Sequence, residues 1–415
     1  MDSYVIEGGK KLYGEVRVQR SKNAVLPMLA GALLTEDKIV LRECPAITDV
    51  KIMKSLLSVF SKTASGEETV TIEGESLRAS LPSYLCAKLR ASSLFLGACL
   101  AVFGEVELPL PGGCAIGKRP IDLHLSALRS LGVSVVEGEG FVRCRVTRRR
   151  GGRVVLPYPS VGATENLLLY SVLSEGETIL SGVAREPEIV DFVSFLKSMG
   201  AKIRGAGESE MVVEGVSRLR GTEYTPMFDR IECGSYLIAC ACTGGEIEIL
   251  GNGLQKKDLL LAKLRQNGCK IALGNDKIQI KASRDKMPFS LRTGPYPAFA
   301  TDLHPMMGTL AALSGGESLL VETVFENRFS YLTELERMGA IVHRNGNFAF
   351  VGGGRLHGAT VLAHDLRGGA ALLLAGLSAE GKTIVLHPEY IDRGYTQPEI
   401  KFASLGARIE RKPYE

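Results

Sequence analysis

The sequence has no tryptophan, only six histidines in 415 residues, and no Cys-x-x-Cys pair. The histidines, at positions 124, 304, 343, 357, 364 and 387, form no ligand-spaced couple. Of the nine cysteines, Cys240 and Cys242 lie two apart inside the apolar run YLIACAC. Neither pattern has metal-loop spacing, so no metal is expected, and reduced, buried thiols are expected for eight of the nine. Walker A, GxGxxG, HExxH and GxSxG segments are also missing, which removes the commonest nucleotide, dinucleotide, zinc and serine-hydrolase readings. The longest apolar stretch runs from Ala91 to Phe103, too short to span a bilayer, and MDSYVIEGGKKLYG carries no signal-peptide core. A soluble, cytoplasmic protein without a membrane partner is expected. Charge of one sign is scarce as well: 50 Lys and Arg against 46 Asp and Glu leave +4. That balance argues against nucleic acid but leaves room for local clusters that hold small anions.

Glycine, by contrast, is plentiful, at 47 residues, and it is regularly placed. A helix ending in Gly before a strand appears at Gly132 (SLGVSV), Gly200 (SMGAKI), Gly268 (QNGCKI), Gly339 (RMGAIV) and Gly406 (SLGARI), with a degenerate copy at Ser61 (VFSKTA). The intervals are 71, 68, 68, 71 and 67 residues. A second marker, an apolar helix followed by a turn and a β-rich run, turns at Asp37, Gly104, Gly176, Gly245, Gly316 and Gly381, spaced 67, 72, 69, 71 and 65. Glycine just past a helix end fits a left-handed C′ position, where a Cβ is penalised. Each unit of about 69 residues then reads as strand, helix, turn, strand, helix, Gly, strand, hairpin, strand. Six such α+β units predict two domains of three units, each with pseudo-threefold symmetry. Length alone points to more than one core.

Four polar segments break this rhythm. In QRSKNAVLP, Ser21 is placed to cap an apolar helix, with Lys22 and Asn23 in its first turn. A cation at a helix N-terminus, with unsatisfied N–H groups, makes a site for phosphate or carboxylate, unless Lys22 is simply solvated. In LPLPGGCAIGKRPIDLHL, Cys114 lies among glycines and prolines near Lys118 and Arg119, a loop setting that suits a tuned thiol better than a packed one. In PYPAFATDLHP, Asp302 precedes an apolar helix and reads first as a cap. In HDLRGGAALLLAGL and YIDRGYTQPE, Asp365 and Asp392 stand beside Arg367 and Arg393. Each couple alone suggests a local salt bridge, while two in equivalent turns suggest guanidinium groups set for an anion. The basic run from Thr147 to Arg153 reads as solvated surface.

The segments SKNAVLP, RASS, PGGCAIGKRPIDLHL, PSVGATEN, AREPEIVDF, DRIE, PAFATD, ETVFENRF, DLRGGA and IDRGY closely resemble the motifs of the UDP-N-acetylglucosamine 1-carboxyvinyltransferase family of enolpyruvyl transferases. The likeness runs in order over nearly the whole chain, and PGGCAIGKRPIDLHL is its most specific part. It implies an inside-out α/β barrel in each of two domains, 21–228 against 1–20 with 229–415, and an active site in the cleft between them. The reaction implied moves enolpyruvyl from phosphoenolpyruvate to the 3′-hydroxyl of UDP-N-acetylglucosamine and releases phosphate, through a tetrahedral ketal. It is the first committed step of peptidoglycan precursor synthesis. No cofactor is implied, and a monomer or weak homo-oligomer is expected.

Carried over by position, the resemblance makes Cys114 the general acid toward the methylene carbon of phosphoenolpyruvate and a site of covalent adducts. Lys22, Arg119 and Arg393 become the clamp on phosphate and carboxylate, with Asn23 and Arg367 beside them. Asp302 becomes the base or orienting group for the sugar hydroxyl. Arg90, Arg119, Pro120, Ile121, Asp122, Leu123, Ser160, Val161, Gly162 and Val324 become nucleotide-sugar contacts. The chain departs from the family at Arg20, usually a small residue, at Tyr158, usually Lys, and at Tyr296, usually His. Two other readings are open: a 5-enolpyruvylshikimate-3-phosphate synthase-like enzyme, which lacks the PGGC loop, and a non-catalytic nucleotide-sugar-binding paralogue.

Overall fold

The computed structural model describes every residue except 1, 111–115, 118–119, 252, 284 and 415. The chain divides into two compact units. The inserted unit comprises residues 20–227 apart from 115–117, and the terminal unit comprises Met1–Gln19 and Phe228–Glu415. Arg20 and Phe228 each fall on the other side of the line drawn from the sequence.

Each unit is organised around three helices that are apolar on all sides. In the inserted unit these are Lys22–Gly31, Phe95–Phe103 and Val161–Ser171. In the terminal unit they are Arg230–Thr243, His304–Ala312 and Leu366–Ser378. A helix without a polar face can only be a central one. Every residue from Ala163 to Ser171, from Arg230 to Cys242 and from Arg367 to Leu377 is buried accordingly. Close approach depends on small residues. A Cβ on Gly97 would lie 2.3 Å from the Asn166 carbonyl oxygen. The Gly97 N–H, unpaired within its own first turn, instead donates to Asn166 Oδ1 at 2.7 Å. Outside the central helices lie amphipathic ones such as Thr48–Val59 and Pro187–Ser198. Two separate hydrophobic cores result, one per unit.

Among the described residues there are six small sheets, five of four strands and one of three. In the usual pattern the strand after the second marker pairs antiparallel with a hairpin strand and parallel with a strand from another part of its unit. Thus Gly245–Leu250 pairs antiparallel with Lys277–Lys281 and parallel with Leu12–Arg17. The last sheet closes differently. The N-terminal strand Asp2–Glu7 lies between Lys382–Leu386 and Arg408–Pro413, antiparallel to both.

The repeat marker is borne out at the backbone. Gly132, Gly200, Gly268, Gly339 and Gly406 have φ of 82°, 102°, 89°, 94° and 90°, and Ser61 takes the same left-handed conformation at φ 63°. The degenerate copy therefore keeps the geometry without the residue suited to it. The eight described cysteines are all buried and unbridged. Burial pushes their thiols up, Cys44 and Cys240 to about 12 and Cys144 to about 11. The basic run, however, is not all solvated surface. Arg149 is partly buried, and its Nη1 donates to the Ala101 carbonyl and, at 3.3 Å, to that of Val102, capping the end of the helix Phe95–Phe103.

A left-handed non-glycine residue costs about 1–2 kcal/mol. Ser61→Gly should therefore raise stability by roughly 0.5–1 kcal/mol, and Gly200→Ser should lower it by about as much. Nothing lies within 4 Å of a Cβ at Gly200, so the conformational effect is isolated there. Urea midpoints that move together, or not at all, would contradict this account.

Candidate active site

Most of the polar residues singled out from the sequence sit at the N-terminal ends of the central helices. Lys22 and Asn23 open Lys22–Gly31, Arg90 begins the 3-10 turn Arg90–Leu94 ahead of Phe95–Phe103, and Val161 and Gly162 begin Val161–Ser171. In the terminal unit, Asp302 lies in the 3-10 turn Thr301–Leu303 ahead of His304–Ala312, and Arg367 is the second residue of Leu366–Ser378. A buried helix offers polar chemistry most readily at its ends, where backbone N–H groups lack partners and carry partial positive charge.

Those ends are finished in different ways. Ser160 accepts from the Ala163 N–H at 3.3 Å. Asp229 accepts from Ile231 and Glu232, and Asp365 from Arg367 and Gly368 at 3.0 and 3.1 Å. Ser21 occupies the cap position of Lys22–Gly31, but its hydroxyl makes no cap bond. It is buried with no hydrogen-bond partner, so the cap expected from the sequence is not formed. That first turn holds a cation and no acid, and Lys22 Nζ lies 3.2 Å from Asp49 Oδ2.

In the inserted unit, Arg90 Nη2 donates to the Pro120 carbonyl at 3.0 Å. Ile121 is buried, Asp122 starts the helix Asp122–Ser130, and Leu123 packs against the core. Next in sequence, His124 is held through Nδ1 at 3.0 Å from Asn166 Nδ2, with its ring against Gly162, where a Cβ would come within 2.9 Å. His124 thereby brings the segment Pro120–Leu123 to the helix start at Ser160–Gly162. Tyr158 is exposed, and its carbonyl accepts from the Ser160 N–H at 2.7 Å. Cys114 and Arg119 lie outside the described residues.

The terminal unit holds a cluster of three charged side chains, two of them buried. Asp302 does not cap its helix. Its Oδ1 accepts from Arg328 Nη2 at 2.8 Å, and its Oδ2 from Arg367 Nε and Nη2 at 3.2 and 3.1 Å. Side-chain exposure is 2% for Arg328 and 3% for Arg367 but 28% for Asp302, so the carboxylate is the accessible member of the three. Removing a guanidinium from water costs several kcal/mol unless it is paired. Two guanidinium groups sharing one carboxylate leave an excess of one positive charge. Burial works against the charge on Arg367, but Asp302, with Tyr395 and Asp229, outweighs it and holds the group cationic. His304, buried beside Arg328, is pushed down to about 3, first by burial and then by that arginine, so it adds no charge.

A second carboxylate braces the same turn. Glu322, unlike Asp302, is buried, and it accepts from Thr301 Oγ1 at 2.9 Å and from the Val324 and Phe325 N–H groups at 2.7 and 3.1 Å. Arg393 ends the 3-10 stretch Pro388–Arg393 and is half-buried. The local salt bridge that each Asp-Arg couple alone suggests is not what the two carboxylates form. Asp365 caps a helix, while Asp392 accepts twice from Arg411 Nη1 at 3.0 Å and from Tyr4 Oη at 3.3 Å. Arg328 and Glu322 carry much of this geometry and were not singled out from the sequence. Their only signal there was membership of the ETVFENRF segment.

A family model for EPSP synthase (3-phosphoshikimate 1-carboxyvinyltransferase) matches residues 6–401. The chain is 43% identical over 415 residues to UDP-N-acetylglucosamine 1-carboxyvinyltransferase 2 of Caldanaerobacter subterraneus subsp. tengcongensis, covering 99% of this chain and all of that one. It is 44% identical over 416 residues to a protein of the same name from Carboxydothermus hydrogenoformans, covering 99% of each. Among solved structures, the enolpyruvyl transferase NikO from Streptomyces tendae has a TM-score of 0.89 at 24% identity, covering 99% of this chain and 98% of that one.

Because two buried cations depend on one carboxylate, Asp302→Asn should destabilise the protein by about 3 kcal/mol, far more than loss of an exposed pair such as Lys202–Glu214. Combining it with Arg328→Met should cost less than the sum, with a coupling of roughly 1–3 kcal/mol in a double-mutant cycle. Additive urea-unfolding effects would mean that the contact between Arg328 and Asp302 contributes nothing.

Proposed function

The chain belongs to the enolpyruvyl transferase family, and from that membership we propose that it transfers the enolpyruvyl group of phosphoenolpyruvate to the 3′-hydroxyl of UDP-N-acetylglucosamine, releasing phosphate. The observation that carries this reading is 43–44% identity, over the full length, to relatives that bear that name. The 3′-hydroxyl oxygen bonds to C2 of phosphoenolpyruvate while C3 takes a proton, giving a tetrahedral ketal. Loss of phosphate from C2 and of a proton from C3 then forms the enol ether.

Cys114 gives the proton to C3. Lys22, Asn23, Arg119, Arg367 and Arg393 hold the phosphate and carboxylate, the role that preorganised cationic donors serve as charge shifts in the transition state. Asp302 receives the sugar hydroxyl. Its fixed position between Arg328 and Arg367 supports an orienting role, and as the accessible member of that cluster it can also take the hydroxyl proton. The contact of Arg90 with Pro120, and of His124 with Gly162, supports the assignment of Arg90, Pro120–Leu123 and Ser160–Gly162 to the nucleotide sugar, and Val324 joins them by its place in the ETVFENRF segment. Among the described residues no helix is long and apolar enough to cross a membrane, and the unbridged thiols fit a cytoplasmic setting. A monomer or weak homo-oligomer suffices for this chemistry.

Phosphate release should require both phosphoenolpyruvate and UDP-N-acetylglucosamine. Release with shikimate 3-phosphate instead would transfer the reading to the sister activity, and none with either would leave a binding protein. Because burial raises the eight other thiols, fosfomycin-type epoxides should add once, at Cys114. Intact-mass and peptide analysis finding the adduct on another cysteine would remove Cys114 from the proton-transfer role.

A further inference from the structure

Gln19 is held more completely than its place two residues beyond the strand Leu12–Arg17 would require. Its N–H donates to Glu232 Oε2 at 2.6 Å, and its carbonyl accepts from the Asp229 N–H at 2.9 Å. Its side-chain amide uses both ends on one short stretch: Nε2 donates to the Gly394 carbonyl at 2.8 Å, and Oε1 accepts from the Thr396 N–H at 3.1 Å. The amide therefore acts as a strand partner for residues 394–396, directly after Arg393. Glu232 is fully buried, and its other oxygen accepts from Lys401 Nζ at 2.7 Å, in the helix Pro398–Ser404 that follows the same stretch. The bonds form a closed circuit from Gln19 to 394–396, along the chain to Lys401, and back through Glu232. On the other side of Arg393, Asp392 is pinned by Arg411 and Tyr4.

We propose that Gln19 is a positioning residue for Arg393. By fixing the backbone just after that arginine, it sets where the guanidinium meets the anionic groups of phosphoenolpyruvate. The proposal rests on the assignment of Arg393 to that substrate. A backbone that is free to shift at 394–396 spreads Arg393 over several placements, and binding that needs one of them weakens by the fraction lost. The effect is confined to phosphoenolpyruvate, because the proposed nucleotide-sugar contacts lie on other segments.

The test compares the full-length wild type with Gln19→Ala and Gln19→Glu. Glutamate keeps an acceptor for Thr396 but cannot donate to the Gly394 carbonyl when ionised, and it puts a second carboxylate beside Glu232. Loss of two neutral hydrogen bonds should raise KM for phosphoenolpyruvate roughly tenfold in the alanine variant, and more in the glutamate variant. KM for UDP-N-acetylglucosamine should be unchanged and kcat little altered. Calorimetric binding of phosphoenolpyruvate in the presence of the nucleotide sugar gives a readout independent of turnover. Binding without turnover in the wild type would sink the proposed function while still testing Gln19. An unchanged phosphoenolpyruvate constant in both variants would overturn the proposal. So would a parallel rise for both substrates, which marks general loosening, or a wild type that binds no phosphoenolpyruvate.

Discussion

Six helices with no polar face have to be buried, and a buried helix can display polar chemistry only where its backbone hydrogen bonding runs out. The rest of the structure follows from this constraint. The sheets and the amphipathic helices wrap the central three in each unit. Charged candidate site residues stand at the starts of the central helices, at Lys22, Arg90, Asp302 and Arg367. The macrodipole favours anions at those same points, so burial and ligand chemistry select the same places.

Charge placement follows the same logic at a finer scale. Many of the ion pairs are exposed on both sides, as in Lys202–Glu214 at 60% and 56%, and such pairs contribute little in water. The pairs of Asp302 with Arg328 and Arg367 are of another kind, because both guanidinium groups are buried. Each needs the carboxylate, and the carboxylate is fixed by having both. A small net charge for the whole chain is compatible with a dense local cluster of paired charge, since only a few of its 50 basic residues are buried there.

The repeat was legible because the left-handed residue after each helix is a local requirement that leaves a residue-type mark. Even Ser61, which lacks that mark, was recovered by its spacing. The apolar helices were legible as buried runs, but the neighbours that each packs against were not, because a run that is apolar all round carries no direction. The site was legible where a polar segment interrupted the rhythm, as at Lys22 and Asp302. It was not legible where a side chain acts through distant partners. Arg328 reaches Asp302 across 26 residues, and Gln19 reaches Gly394 across 375. Arg149 was misread for the same reason: a basic run looks solvated until one member finds the carbonyls of a helix 48 residues earlier. Ser21 shows the converse, since a residue suited to capping stood at the right place and its hydroxyl did not cap.

The place of the strand Asp2–Glu7, between Lys382–Leu386 and Arg408–Pro413, has a consequence for biosynthesis. This strand leaves the ribosome well ahead of both of its partners, with the whole inserted unit made between them. The inserted unit, drawn from one nearly continuous stretch, can condense while the remainder is still being translated. The terminal unit cannot close its last sheet until Lys382–Leu386 and Arg408–Pro413 have emerged, and Asp2–Glu7 lacks those partners until then. That strand is short and begins and ends on the charged residues Asp2 and Glu7, the kind of edge that resists premature association with other chains.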